Sequence, residues 1–345
     1  MNILVTGGSG FIGTNLVTDL RKQGHTVTIY DKQISETYPD RCIIGDIRDK
    51  ENLTGSMRGV DAVYHLTAEH RDDVHPALLY YEVNVGGAEN MVYALKENNV
   101  KRLIFTSTVA VYGLNPNVAK VEGLQSQGAK GEEPCCLCNV RVNSGAPDED
   151  SLIRPFNDYG KSKYKAETIF SKWADSDPAN CLITVRPTVI FGEKNRGNVY
   201  NLLNQIASNR FVMVGNGKNR KSMGYVLNCS KFLTFLLKTA PGKYVYNYAD
   251  KPDLTVDELV SITRNVLGKK NDQSFRLPYM IGLLGGYGFD LLFKVTGKTY
   301  PISSIRIKKF SADTVINTDK LQKTGFIPSY TLAEGLTRMI KSEFL

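Results

Sequence analysis

The sequence predicts an α/β protein: a doubly wound parallel sheet with a smaller C-terminal α/β domain. Three observations predict it. Short apolar, β-branched runs alternate with helical patterns over the first 186 residues. A glycine-rich turn, Gly7-Gly8-Ser9-Gly10-Phe11-Ile12-Gly13, follows the first such run at once. An acidic residue, Asp31, closes the second run.

The elements follow in order. Asn2 to Thr6 (Asn-Ile-Leu-Val-Thr) reads as a buried strand. After the glycine turn, Phe11, Ile12, Leu16 and Leu20 recur at helical spacing and predict a helix with one apolar face. Strand, glycine turn and helix in this order make a phosphate cradle. Glycines allow the tight turn and close backbone approach, and the helix N-terminus offers free N–H groups and a partial positive charge. Thr26 to Tyr30 is the second strand, and Asp31 stands where an acid accepts hydrogen bonds from adenosine ribose hydroxyls. Its charge repels a 2′-phosphate, which favours NAD over NADP; Lys32 beside it leans the other way. Further strands are expected at Arg41–Gly45, Ala62–His65, Arg102–Ser107 and Ile183–Arg186, with Val85, Ala88, Val92 and Leu95 on one helix face between them. This is a Rossmann-type arrangement. Asp46-Ile47 and Leu66-Thr67-Ala68 follow two of the strands and fall at the carboxyl edge of the sheet, where ligands bind. The expected cofactor set is Gly7, Gly10, Phe11, Ile12, Gly13, Asp31, Asp46, Ile47, Leu66, Thr67, Ala68 and Asn84, joined by Tyr159 and Lys163.

The reactive end is Tyr159-Gly160-Lys161-Ser162-Lys163, in a stretch that reads as a helix from Tyr159 to Trp173. A spacing of four puts Tyr159 and Lys163 on one face. A cationic lysine and a bound nicotinamide both favour the phenolate, so Tyr159 is expected to act as a general base on a hydroxyl. Thr108, at a strand end, is the expected third member, bridging substrate hydroxyl and tyrosine.

These residues, with Arg186-Pro187-Thr188-Val189-Ile190-Phe191-Gly192, resemble the extended short-chain dehydrogenase/reductase family of sugar epimerases and dehydratases, over nearly the whole chain. The family's 4,6-dehydratases carry an Asp-Glu pair after the strand-end Thr or Ser. Here Val109 and Ala110 follow Thr108 and move no protons, so dehydration is rejected. The runs Ala68-Glu69-His70-Arg71-Asp72-Asp73-Val74, Arg196-Gly197-Asn198-Val199-Tyr200-Asn201-Leu202-Leu203, Asp250-Lys251-Pro252-Asp253-Leu254 and Leu283-Leu284-Gly285-Gly286-Tyr287 are similar to one branch. Its members epimerise GlcNAc to GalNAc on undecaprenyl diphosphate before O-antigen repeat assembly. The resemblance implies bound NAD, a 4-keto intermediate, a sugar held chiefly by its diphosphate, and a homodimer through a helix bundle. Relatives that bind nucleotide sugars often carry arginine four residues before the tyrosine of the Tyr225-Val226 step; here position 221 is Lys221, a point charge that suits a diphosphate without a nucleoside. Asn198, Val199 and Lys221 are the expected substrate grip, in a cleft between the domains. Other readings are a UDP-GlcNAc or UDP-glucose 4-epimerase, a one-way sugar reductase or dehydrogenase, and a non-catalytic NAD-binding protein.

The expected domains are 1–186, binding NAD, and 187–345, mainly binding substrate, with some strands returning to the first sheet. Residues 118–146 read as a loop insertion with Cys135, Cys136 and Cys138 inside it; no fourth ligand follows at zinc-like spacing, so no metal is expected. A strand begins at residue 2 with no basic stretch before it, and the six cysteines form no disulfide framework. A cytoplasmic protein is expected. The net charge of +8 is concentrated: Lys269 to Lys309 carries eight basic residues against two acidic. Within it Leu277–Phe293 is apolar, 17 residues long and interrupted by Pro278, four glycines and Asp290, too short and too rich in helix weakeners for a span of roughly 20 residues. With Lys294, Lys298, Arg306, Lys308 and Lys309 flanking it, this run suits the face of an anionic membrane. Composition alone favours ordinary core, and the resemblance to a branch acting on a lipid-linked sugar implies membrane contact instead. The charge is not interleaved with stacking aromatics, so nucleic acid is not an expected partner.

Overall fold

The computed structural model describes residues 1–71, 74–113, 145–269, 276–296 and 304–345. The expected insertion at 118–146, its three cysteines included, lies outside the described residues except for 145 and 146, as do Asp72, Asp73 and Lys298 and the side chains of Lys294, Arg306 and Lys309.

In chain order the elements are β1 Asn2–Thr6, α1 Phe11–Lys22, β2 Thr26–Asp31, β3 Cys42–Ile44, α2 Lys50–Ser56, β4 Ala62–His65, α3 Leu78–Tyr81, α4 Gly87–Glu97, β5 Arg102–Thr106, α5 Asp158–Asp175 and β6 Cys181–Pro187. Then come β7 Val189–Phe191, α6 Asn198–Ala207, β8 Met213–Val214, β9 Arg220–Tyr225, α7 Val226–Phe235, β10 Gly242–Tyr248, β11 Asp250–Thr255 and α8 Val256–Val266. The last are β12 Arg276–Leu277, α9 Tyr279–Thr296, α10 Ser304–Ser311, α11 Asp319–Gln322 and α12 Leu332–Phe344.

Seven of the described strands form one parallel sheet in the order β10-β6-β5-β4-β1-β2-β3. The chain winds outward from β1 to β3, then crosses back to β4 and winds the other way. The carboxyl ends of β1 and β4 therefore flank the switch point where such sheets bind ligands. The inner strands are apolar on both faces because helices cover both. Leu4, Val63, Leu103 and Leu182 of the sheet share one buried cluster with Met91 and Leu95 of α4 and Phe170 and Trp173 of α5. Full burial of each such side chain contributes about 1.5–3 kcal/mol.

Two expected helix faces differ in detail. On α1 the fully buried residues are Gly13, Leu16, Val17 and Leu20, while Phe11 and Ile12 are only half-buried. On α4 the buried face is Gly87, Ala88, Met91, Ala94 and Leu95, and Val85 precedes the helix. A π-turn at Glu82–Gly86 is the cause. Its i→i+5 bonds hold one extra residue, so a regular 3.6 period counted through Val85 falls out of phase.

The chain divides into two units. The first comprises Met1–Thr188, Cys229–Tyr248 and Ile316–Ile327, and the second Val189–Asn228, Ala249–Val315 and Pro328–Leu345. The first holds the seven-stranded sheet. In the second, β9 pairs antiparallel with β11 and parallel with β7, and β12 pairs with β8. Its core includes Ile206, Met213, Val256 and Val260. Thr255 with Glu258 and Thr331 with Glu334 form capping boxes that fix the starts of α8 and α12.

Candidate active site

The glycine turn leaves β1 and enters α1. Gly7 has φ +73, and a Cβ there would lie 2.8 Å from the Thr67 backbone nitrogen. A Cβ on Gly13 would lie 2.3 Å from the Gly7 carbonyl oxygen. Backbone is thus packed on backbone beside a helix N-terminus, with Leu66 and Thr67 forming the neighbouring wall. This cradle would fill with any side chain and is shaped for a pyrophosphate. Asp31 ends β2 and accepts from the Ser9 and Gln33 backbone N–H groups at 3.0 and 3.1 Å, which fixes its carboxylate beside the turn. Lys32 pairs with Asp46 at 3.2 Å. Asp46 also takes the guanidinium of Arg48 at 2.7 Å. Burial opposes ionisation of Asp46, but Arg48 and Lys32 outweigh it and pull the carboxyl down to about 2. The Tyr30 hydroxyl donates to the Asp46 carbonyl, and Ile47 is buried behind it.

Thr108 follows β5 and caps a short turn, Val109–Tyr112, its hydroxyl accepting from the Ala110 N–H. Helix α5 starts at Asp158, one residue before Tyr159, because Asn157 caps it and accepts from the Gly160 N–H at 2.9 Å. Gly160 is required here: a Cβ would meet the Ala110 carbonyl oxygen at 2.8 Å. Its absence lets the first turn of α5, with Tyr159, settle against the turn that follows Thr108. Tyr159 is half-buried, its ring 6.4 Å from that of Tyr80. One turn on, Lys163 is buried, its ammonium 4.2 Å from the centre of the Phe105 ring. Burial pulls its pKa down to about 7 against the opposing pull of Glu167. A lysine so placed is sensitive to any polar group brought beside it.

Asn84 lies in the π-turn, buried. Its carbonyl oxygen accepts from the Glu69 N–H, and its amide donates to the Glu69 carbonyl and to the Ser162 hydroxyl. The side chain thereby ties the segment after β4 to α5 between Tyr159 and Lys163. Ala68 stands next to that tie, and Glu69 pairs with Arg71. Two residues were not singled out from the sequence. Ser107 has a buried hydroxyl without a hydrogen-bond partner among the described residues. It stands at the end of β5 beside Thr108, and the run Thr106-Ser107-Thr108 was the available signal. His65 is buried, stacked on Phe105, its Nδ1 2.7 Å from the Thr6 hydroxyl. The cradle, the acid at the end of β2 and the orphan Ser107 hydroxyl together fit a dinucleotide whose polar end reaches β5.

Thr108, Tyr159 and Lys163 belong to the first unit; Asn198, Val199 and Lys221 belong to the second. Asn198 is the exposed first residue of α6, whose start at Gly197 has no side-chain cap, and Val199 is buried. The Lys221 ammonium donates to the Ala312 carbonyl, and burial pulls its pKa down to about 8 against the opposing charge of Asp313. Among the described residues no group of His, Cys, Asp or Glu is arranged to hold a metal ion.

Comparison with known proteins places this geometry. The model of the NAD dependent epimerase/dehydratase family matches residues 3–249. The chain is 46% identical over 346 residues to N-acetyl-alpha-D-glucosaminyl-diphospho-ditrans,octacis-undecaprenol 4-epimerase of Escherichia coli O157:H7, covering 100% of this chain and 96% of that protein. It is 24% identical to UDP-glucose 4-epimerase of Vibrio cholerae, covering 97% and 93%. Among solved structures, UDP-N-acetylglucosamine 4-epimerase from Bacillus cereus shares the fold with a TM-score of 0.72 at 19% identity, over 99% of this chain and 98% of that one. UDP-glucose 4-epimerase of Thermus thermophilus, solved with NAD, gives 0.70 at 20%, over 99% and 98%.

Proposed function

Because the chain belongs to the NAD dependent epimerase/dehydratase family, we propose that it is an NAD-dependent sugar 4-epimerase that interconverts GlcNAc- and GalNAc-diphospho-undecaprenol for surface-polysaccharide assembly. The observation that carries this reading is the full-length 46% identity to an epimerase of that lipid-linked sugar, in a chain whose own sequence has Thr108, Tyr159 and Lys163.

When bound, NAD supplies a hydride acceptor for the sugar C4 and the donor for its return. The chain does the rest. Backbone N–H groups of Phe11 to Gly13, at the start of α1, would hold the pyrophosphate, and Asp31 would accept from the adenosine ribose. Lys163 would hold the other ribose, and the Ser107 hydroxyl, which has no partner among the described residues, could take one from the bound cofactor. Tyr159 as phenolate takes the proton from the C4 hydroxyl, directly or through the Thr108 hydroxyl, and gives one back after the sugar has turned over. The cationic form of Lys163 favours that phenolate. Val109 and Ala110 carry no acid, so water is not eliminated. Turning the sugar requires a grip remote from the ring. Asn198 and Val199, at the uncapped start of α6, and the cationic Lys221 are suited to a diphosphate. A homodimer through α4 and α5 accompanies this reading.

The test is direct. The protein is incubated with GlcNAc-diphospho-undecaprenol in detergent and separately with UDP-GlcNAc, and the GlcNAc-to-GalNAc ratio is followed. Conversion of the lipid-linked sugar is expected, and conversion of UDP-GlcNAc alone would move the assignment to a nucleotide-sugar epimerase. Tyr159→Phe should still bind NAD and lose about 10²–10⁴-fold in turnover; undiminished turnover would remove Tyr159 from the mechanism.

A further inference from the structure

Helix α9 is built inside out. Among the described residues its buried positions are the glycines Gly282 and Gly286. A Cβ on Gly282 would lie 2.7 Å from Val214 Cγ1, and one on Gly286 would lie 2.8 Å from the Ser304 backbone. Four large apolar residues point the other way, while Leu283 and Phe289 are half-buried: Met280 is 63% exposed, Ile281 55%, Leu284 67% and Tyr287 48%. Positions 280, 281, 284 and 287 form one stripe along the helix. A core helix buries such a stripe; here glycines let α9 lie close on its own unit while the stripe faces out.

The rim of the stripe is cationic. Lys308 of α10 donates to the Tyr287 hydroxyl at 2.9 Å, and its ammonium lies 5.2 Å from the centre of that ring. The stretch from Lys269 to Lys309 carries a net +6 by sequence. An aromatic ring with a lysine at its polar tip suits headgroup depth, the ring among acyl carbons and the ammonium among phosphates. A second copy on this face would set like charge against like charge. Among the described residues no helix is long and apolar enough to cross a membrane, so the stripe can lie on a bilayer but not traverse it.

We propose that the outward face of α9, with Lys308 at its rim, is a docking surface for an anionic lipid bilayer. The benefit to the enzyme rests on the lipid-linked substrate proposed above: docking brings the second unit to the plane in which that substrate is anchored.

The full-length protein is floated with vesicles of neutral phosphatidylcholine and with the same vesicles containing phosphatidylglycerol. Binding to the anionic vesicles is expected to be at least about tenfold stronger, and to weaken with salt. Ile281→Glu with Leu284→Glu changes exposed positions only and should lower that binding at least about tenfold. Lys308→Glu should erase much of the anionic preference. Absence of binding by the unaltered protein, or unchanged binding by the double variant, overturns the proposal. So does a double variant that falls from a larger to a smaller oligomer, which would assign the face to a second copy. Turnover of the lipid-linked sugar in detergent is read separately and should be retained by the double variant. Failure there strikes the substrate assignment, and failure of flotation strikes the docking face.

Discussion

The ammonium of Lys163 lies above Phe105, and the other side of that neighbourhood is His65, stacked on the same ring. Two basic groups thus share one buried region, and only one of them can be charged at low cost. Burial, with the charge of Lys163 adding to it, pulls His65 down to about 3. The sign of its effect on stability follows. Between pH 6.5 and about 3 the unfolded chain protonates His65 and the folded chain does not, so stability is full above the unfolded pKa and falls as pH falls. By pH 4 this residue alone should cost about 3 kcal/mol. Urea denaturation from pH 7 to 4 checks it. His65→Asn, less stable at pH 7, should lose less on acidification than the unaltered protein, and equal losses would show that His65 carries no such linkage. At this scale the placement of Tyr159 and Lys163 one turn apart on a helix, and of Thr108 just past a strand, was readable, because spacing and strand ends are local. Ser107 and the burial of His65 were not readable, because each depends on which strands become neighbours.

Helix α5 is fixed by more than its cap. Glu167, one turn beyond Lys163, takes two parallel hydrogen bonds from buried Arg186 of β6, at 3.0 and 2.7 Å. Arg186 also donates to the Tyr112 hydroxyl, which donates to Asn247 of β10. The helix that carries Tyr159 is therefore held in register against two strands and against the turn after Thr108. Removing one partner leaves a buried charge without its counterion, so Glu167→Gln should cost about 3–5 kcal/mol. The paired change Arg186→Met with Glu167→Leu should recover part of that loss, since it removes both charges. Guanidinium unfolding of the three proteins decides. If Glu167→Gln unfolds at the original midpoint, the ion pair is not what holds α5. The inner strands β1, β2, β4, β5 and β6 could be read to within a residue or two because their faces are largely buried, leaving continuous apolar runs. At the sheet edge β3 was legible from its apolar run, although Ile43 and Ile44 are exposed. The phase of α4 could not, because a π-turn leaves no mark in composition.

At the scale of the whole chain, neither unit is continuous in sequence. β10 closes the edge of the first sheet after a stretch that belongs to the second unit, and residues 316–327 return to the first again. Pairing of β10 with β6 is a long-range contact, so no local pattern announces it. Two of the exposed apolar faces among the described residues bear on the proposed partners. The face of α9 is rimmed by lysine and suits an anionic bilayer. On α4 and α5, Tyr93 is 44% and Tyr164 39% exposed, beside the cluster that packs these helices on each other and on the sheet. A two-fold axis there would lay α4 and α5 of one copy on those of another and build a four-helix bundle, an isologous contact that closes on itself. The proposed dimer should therefore survive Ile281→Glu with Leu284→Glu and should dissociate in Tyr93→Glu with Tyr164→Glu. Sedimentation of the three proteins at equal concentration reads this out, with circular dichroism to confirm that each is folded. A species of twice the chain mass in the first two, and of the single mass in the third, is expected. A monomeric parent protein would end the dimer proposal and leave the α9 docking surface to stand on its vesicle binding alone.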